Sequence, residues 1–215
     1  MHVVVPFAVT DPKTRLAPVL SSEEREAFAR AMLTDVLEGI EQTGYEPTIL
    51  ATAPLEADFP VSTSVLVDDR PLTPAVNAVL ETTHSDVAIV MADLALATSG
   101  ALEGCFSRPG DVVIAPGRGG GTNVLVSRHE EFRVDYHGTS YLDHCRAARD
   151  VGAAVSTVDS FRLSTDVDEP EDLVEVTLHG GEHSRSFLER HGFDLETTAG
   201  RVTVTREERP KSDPG

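Results

Sequence analysis

Short apolar runs alternate with amphipathic stretches along most of this chain. The first run, HVVVPF at residues 2–7, suits a strand buried on both faces of a parallel sheet. A polar loop follows, and then a helix that Ser21 can cap and that Glu24 completes with a capping box. Phe28, Met32, Leu33, Val36, Leu37 and Ile40 recur at helical spacing on one face, and Gly44 is a natural stop. TILAT at 48–52 and VLV at 65–67 read as two further strands. Thr73 as cap and Pro74 at the first helical position open a second helix. VAIVM at 87–91 is wholly apolar and therefore expected at the centre of a sheet. DVVIAP and NVLVS are two more strands, separated only by GRGGGT. A helix over about 139–151, a strand at AAVSTV, a helix starting near Pro170, a short helix at 183–191 and a strand at RVTVT complete the pattern.

Repeated strand–helix alternation predicts an α/β fold with a mostly parallel, twisted sheet flanked by helices. Neither an internal repeat nor a linker divides the chain, so one domain is expected over 1–208, with a polar tail at 209–215. No run approaches the roughly 20 apolar residues that span a bilayer. The N-terminus carries no positive segment or cleavage site, and Cys105 and Cys145 lack metal-ligand or redox spacing. A cytoplasmic protein without a membrane partner is expected.

Charge changes the picture. Against 36 acidic residues stand 18 Lys and Arg, for a formal net charge of −18, with lysine nearly absent. Such a surface repels nucleic acid and anionic membranes. The periodic apolar pattern argues against disorder, which leaves adaptation to high salt, where self-repulsion is screened within about 3 Å at 1 M.

Ligands of open α/β sheets bind beyond the carboxyl ends of the strands. After the first strand comes AVTDPKTRL, with Lys13 and Arg15; after VAIVM comes MADL, with Asp93; after DVVIAP comes GRGGGTN; and after the last core strand come Asp166 and Asp168. Taken singly, each has a plain structural account: loop cations, a turn cap at Asp93, a helix N-cap at Asp168, a tight hairpin at the glycines. Capping leaves Asp166 unexplained, and the joint occurrence of carboxylates, cations and a glycine loop at one sheet edge points to a site. GRGGGT is neither a dinucleotide fingerprint nor a P-loop. Asp93, Asp166 and Asp168 are hard oxygen ligands suited to Mg²⁺ with substrate phosphates. Lys13 and Arg15 suit a triphosphate, and phosphoryl or nucleotidyl transfer is the chemistry expected.

Five segments, VPFAVTDPKTRLAPVLSSEERE, VAIVMADLALAT, VVIAPGRGGGTNVLV, DYHGTSYLDHCRAARDVG and STDVDEPEDL, carry a resemblance over about residues 1–180. In this order they resemble the 2-phospho-L-lactate guanylyltransferase family, within the molybdopterin-guanylyltransferase-like nucleotidyltransferases. The resemblance implies a Rossmann-like, GT-A-like fold, a halophilic archaeal source, and condensation of GTP with a small phosphorylated carboxylic acid. That acid is 2-phospho-L-lactate, or phosphoenolpyruvate in some members, and pyrophosphate leaves; the product feeds synthesis of a deazaflavin coenzyme. It further implies Lys13 and Arg15 on the GTP phosphates and Asp93, Asp166 and Asp168 around Mg²⁺. Thr122, Gly138 and Ser140 would meet the acceptor's phosphate, and Asp69 would meet the guanine edge. Two departures stand out: Ala95 replaces the usual proline of Asp-Leu-Pro-Leu, and His137 stands where a glycine is common. No strong base is required, because a phosphate monoester is already mostly a dianion at neutral pH. Tyr136, His137 and His144 are accordingly not expected to be acid–base groups, and His144 is expected on the helix surface. A nucleotide-sugar-type transferase and a non-catalytic nucleotide-binding protein of the same fold are the alternatives. RVTVT offers a strand for homodimer contact.

Overall fold

The computed structural model describes residues 1–55, 58–198 and 200–206; the expected polar tail lies outside the described residues. Strand β1 (His2–Phe7) leads through a single 3-10 turn, Thr14–Leu16, into helix α1 (Ser22–Glu41). Strands β2 (Pro47–Ala51) and β3 (Ser64–Val67), helix α2 (Leu72–Thr82), strand β4 (Val87–Val90) and helix α3 (Ser99–Phe106) follow. Then come β5 (Val112–Pro116), β6 (Thr122–Ser127), α4 (Ser140–Asp150), β7 (Val155–Thr157) and the single turn α5 (Phe161–Ser164). Helices α6 (Leu173–His179) and α7 (Glu182–Arg190) precede a hairpin of β8 (Phe193–Thr198) and β9 (Arg201–Arg206).

Seven strands form one sheet in the order β3-β2-β1-β4-β6-β5-β7. Within that sheet only β6 runs against its neighbours, pairing antiparallel with both β4 and β5. The other pairings are parallel, so β1, β4, β5 and β7 all end at the same edge. VAIVM is central, as its unbroken apolar run predicts. Alternate residues separate to opposite faces. Val3, Val5, Ala88, Val90, Val113 and Ala115 pack with α1 and α3, while Val4, Val87, Ile89, Val112 and Ile114 pack with α2 and α4.

Helix α1 begins as its sequence dictates. Glu24 N donates to Ser21 Oγ at 3.2 Å and Ser21 N donates to Glu24 Oε2 at 2.9 Å. The six apolar residues named from its periodicity are all fully buried. They serve two cores: Leu33, Val36, Leu37 and Ile40 face the sheet, while Phe28 and Met32 pack with Leu16, Leu96, Val176 and Phe187 under α6 and α7.

Other boundaries differ from expectation. Helix α2 starts at Leu72, with Pro71 at the N-cap and no side-chain cap. Thr73 lies inside the first turn and accepts from Tyr136 N at 2.9 Å. Pro74 is tolerated there because a first-turn amide has no intrahelical acceptor to lose. Glu169, not Asp168, is the N-cap at Pro170, and Asp172 reaches back to accept from the amides of Asp168 and Glu169. RVTVT finds its partner within the chain, as β9 beside β8. Among the described residues, no helix is long and apolar enough to cross a membrane.

Candidate active site

The loop leaving β1 carries the first cation of the site in an unusual backbone. Asp11 and Lys13 both have positive φ, at 44° and 55°, the left-handed region that side chains other than glycine's seldom enter. Each such residue costs about 1–2 kcal/mol. Arg25, buried on α1, holds the loop there: its Nε donates to Pro12 O at 3.2 Å, and its Nη2 pairs with Asp11. Fully buried Leu16 anchors the following turn. The result points Lys13 into the sheet edge with its side chain only 12% exposed.

There the ammonium bridges two strand exits. Lys13 Nζ donates to Asp93 Oδ2 at 2.6 Å and to Asp168 Oδ1 at 2.8 Å. Burial pulls the Lys13 pKa down, but the two carboxylates outweigh it and hold it above the ordinary lysine value. Arg15 is 65% exposed and only loosely tethered, 3.3 Å from Asp168 Oδ2 and 3.7 Å from Glu169. Asp93 does not cap its turn: Oδ2 takes Lys13, while Oδ1 is buried without a hydrogen-bond partner.

Asp166 sits behind this pair. Asn123 Nδ2 donates to Asp166 Oδ1 at 3.1 Å and to Leu163 O at 3.0 Å. Burial raises the Asp166 pKa; the Asn123 hydrogen bond opposes this, and the Asp93 and Asp168 charges add to it. A carboxyl destabilised by two others nearby, and an orphaned buried oxygen on Asp93, mark a place where a further positive charge is favoured. As donors the three aspartates fit Mg²⁺, which takes one or two carboxylates with phosphate and water. They are not a closed cage. Among the described residues, three ligand atoms within 4.8 Å of one another occur at Asp35, Glu38 and His183 instead. That cluster has a structural task, since Asp35 accepts from His183 N at 2.9 Å and Ser184 N at 2.8 Å and so caps α7.

The glycine loop is a tight turn more than a phosphate cradle. Gly117 N donates to Gly121 O, Gly120 N to Gly117 O, and Arg118 N to Ser164 O, each at 3.0 Å. Those amides are therefore already engaged. Gly117 is required for another reason: a Cβ there would lie 2.7 Å from Asn123 Oδ1. Gly120 O accepts from Tyr141 N at 3.1 Å, which ties the loop to the first turn of α4.

Beyond the loop, β6 turns its first residue toward α4. Thr122 is buried and its Oγ1 lies 2.9 Å from His144 Nδ1. Ser140, also buried, is the first residue of α4, and Gly138 sits just ahead of it at φ 42°. His144 is not on the helix surface. It is 0% exposed, because α4 turns His144, Cys145 and Ala148 onto the sheet. Burial pushes its imidazole pKa down to about 4, so the ring is neutral near pH 7. His137, by contrast, is exposed and pairs with Asp135.

A cleft of about 500 Å³ opens beside the cluster, lined by Lys13, Arg15, Asp93 and Asp168 on one side and by apolar Phe7, Met32, Leu50, Leu72 and Met91 on the other. Asp68 and Arg70 line it too, with Arg70 Nε donating to Asp68 Oδ1 at 2.9 Å. Asp69 is exposed and is not among the lining residues. The structure thus gathers Lys13, Arg15, Asp93 and Asp168 around one cleft, sets Asp166 within reach of the Asp93 and Asp168 charges with Asn123 holding its Oδ1, and places Thr122 against α4, whose first residue is Ser140. Arg25, Asn123 and Asp68 join the site only in the folded chain. Asn123 has a signal in the sequence, since it is the polar end of the glycine segment where a strand residue is expected to be apolar.

Comparison with known proteins follows the same line. The family described as Guanylyl transferase CofC like matches residues 1–207. The 2-phospho-L-lactate guanylyltransferase of Haloterrigena turkmenica is 61% identical, over 98% of this chain and 100% of that protein. The same-named protein of Haloferax volcanii is 53% identical over 97% of this chain and 100% of its own length. Among solved structures, the 2-C-methyl-D-erythritol 4-phosphate cytidylyltransferase of Thermus thermophilus superposes with a TM-score of 0.52 at 15% identity, covering 87% of this chain and 98% of that one. A nucleotidyl transferase from Methanothermobacter gives 0.54 at 10% identity, over 88% and 99%. These structural likenesses show the fold alone, an α/β sheet flanked by helices. The near full-length sequence matches show the family: the chain belongs to the Guanylyl transferase CofC like proteins.

Proposed function

We propose that this protein transfers the guanylyl group of GTP to a phosphate oxygen of 2-phospho-L-lactate or phosphoenolpyruvate, releasing pyrophosphate and supplying a precursor of a deazaflavin coenzyme. The observation that carries the reading is Lys13, held between Asp93 and Asp168 at the strand-end cleft. Asp93 and Asp168 more than neutralise Lys13 as it stands, so a divalent cation joining the three carboxylates would free Lys13 and Arg15 to meet a nucleotide triphosphate. The relatives' names support 2-phospho-L-lactate and guanylyl transfer, and the sequence resemblance adds phosphoenolpyruvate.

In this reading the guanosine enters the cleft over Phe7, Leu50 and Leu72, and Asp68 at its rim accepts from the N1–H and N2–H₂ edge. Asp69, expected for that role, is the neighbouring exposed carboxylate. Lys13 and the loosely held Arg15 turn to the triphosphate, so that charge building on the departing pyrophosphate meets two cations. Thr122 at the start of β6, with Gly138 and Ser140 at the start of α4, receives the acceptor's phosphate, where the helix N-terminus favours an anion. The acceptor oxygen attacks the α-phosphorus in line, the bond to the β-phosphate oxygen breaks, and pyrophosphate leaves. No side chain has to take a proton from a phosphate dianion. Asp93, Asp166 and Asp168 would hold Mg²⁺, which supplies charge neutralisation between the two phosphates when bound. The test is product identity. GTP labelled at the α-phosphate and incubated with each acid should give a guanylylated acid by mass spectrometry, and ATP should not substitute; label recovered only in GTP or GMP would refute the reading.

A further inference from the structure

Buried polar atoms almost always have partners. His144 is an exception: it is fully buried, its Nδ1 meets Thr122 Oγ1 at 2.9 Å, and its Nε2 meets nothing. Leucine at that position would carry no orphaned group, so the imidazole there bears a desolvation cost that packing alone does not require. Two aromatic rings pack edge-on against it, Tyr136 with centroids 4.9 Å apart at 83° and Phe132 at 6.3 Å. His144 also lies four residues after Ser140, so both stand on the same buried face of α4. Thr122 is therefore gripped from the helix whose first turn faces the acceptor's phosphate.

The direction of the grip matters. A threonine hydroxyl has one hydrogen. If it donated to His144, nothing would be left for an anion. With Nδ1 protonated, His144 donates to Thr122 Oγ1 and the hydroxyl hydrogen stays free. We infer that His144 is a positioning residue of the acceptor site, holding Thr122 Oγ1 through Nδ1–H so that the hydroxyl donates to the phosphate of the acceptor acid. The inference rests on the function proposed above. His144 touches no substrate and transfers no proton.

Asparagine and glutamine separate this role from packing, because Asn carries a donor at the Nδ1 place and Gln at the Nε2 place. Steady-state pyrophosphate release at saturating GTP, with the acid varied, is measured for wild type, His144→Asn, His144→Gln, His144→Leu, Thr122→Val and the His144→Leu/Thr122→Val double variant. Thermal unfolding is followed in parallel. Gln and Leu should raise the KM for the acid about tenfold while the KM for GTP stays within about twofold, and Asn should remain near wild type. In the Thr122→Val background, His144→Leu should add less than about twofold, because the interaction it removes is already gone. Equal effects of Asn and Gln, a matching rise in the KM for GTP, or full additivity with Thr122→Val would each overturn the inference. Should His144→Leu fail to fold, the Asn and Gln pair decides. A folded wild-type protein that binds GTP yet releases no pyrophosphate with either acid would bring down the functional reading, and this inference with it.

Discussion

Lys13 is one of two lysines in the chain, the other being Lys211, and the backbone is bent into a left-handed conformation to aim it. The compact ammonium meets both carboxylates at under 3 Å as a point charge, with no planar fork to orient. Lys13→Met is expected to lower kcat/KM for GTP by about a hundredfold or more, and Lys13→Arg to recover only part of it. Steady-state kinetics on the two variants would show this; wild-type rates in Lys13→Met would remove Lys13 from the reaction. Asn123 acts one step back, through Asp166. Asn123→Ala should lower kcat about tenfold while GTP affinity, measured by calorimetry, changes little. The two aspartates of Asp-Val-Asp, whose like charges call for a positive neighbour, are answered separately. The charges beside Asp168 are Lys13 and Arg15 of the same chain, while Asp166 is turned to Asn123.

At the scale of elements, α1 shows what local sequence determines. Its capping box and buried stripe are legible because both depend on residues within a turn or two of each other. Glu24 has a second task that is not: Arg206 of β9 donates to its Oε2 at 3.1 Å and pairs with its Oε1. That ion pair, with the Ser21 amide, holds the Glu24 pKa down to about 2, against 4.5 for the unperturbed group. A carboxylate depressed on folding stabilises the fold above its unfolded pKa and loses that contribution as pH falls through the folded value. Unfolding midpoints in urea should therefore drop between about pH 4.5 and 2, and Glu24→Gln should flatten that limb. An unchanged acid limb would show that the pair contributes nothing. Ser21→Ala should cost about 1 kcal/mol in the same assay. Helix α3 is hard to see in the sequence because Gly100 and Gly104 dilute its periodicity, although Thr98 caps it. Strand β8 is hard to see because FDLETT alternates over only four residues, Phe193–Glu196, and its pairing with β9 is what marks it as a strand. His144 reads as a polar surface residue between Asp143 and Cys145, and only the packing of α4 reveals that it is buried.

For the whole molecule, topology turns scattered motifs into one site. Every strand of the large sheet but β6 runs the same way, so segments 80 and 155 residues apart in sequence meet at Lys13. The motifs can be located from the chain because glycines and charges stand out at strand ends; which of them touch cannot, because register and side-chain reach are settled by packing. The acidic surface adds a global property. At low ionic strength a net charge of −18 opposes the compact state, and screening relieves it. Raising KCl from about 0.2 M to about 2 M should raise Tm by on the order of 10 °C. A flat salt response would contradict that account of the charge. The central claim, that the strand-end cluster transfers a guanylyl group to a phosphorylated acid, is tested most directly by pyrophosphate release in molar salt with Mg²⁺ and GTP. The reading predicts release that requires 2-phospholactate or phosphoenolpyruvate and that falls by at least about a hundredfold in Asp166→Asn. Release that ignores the acid, or that survives Asp166→Asn undiminished, would contradict it.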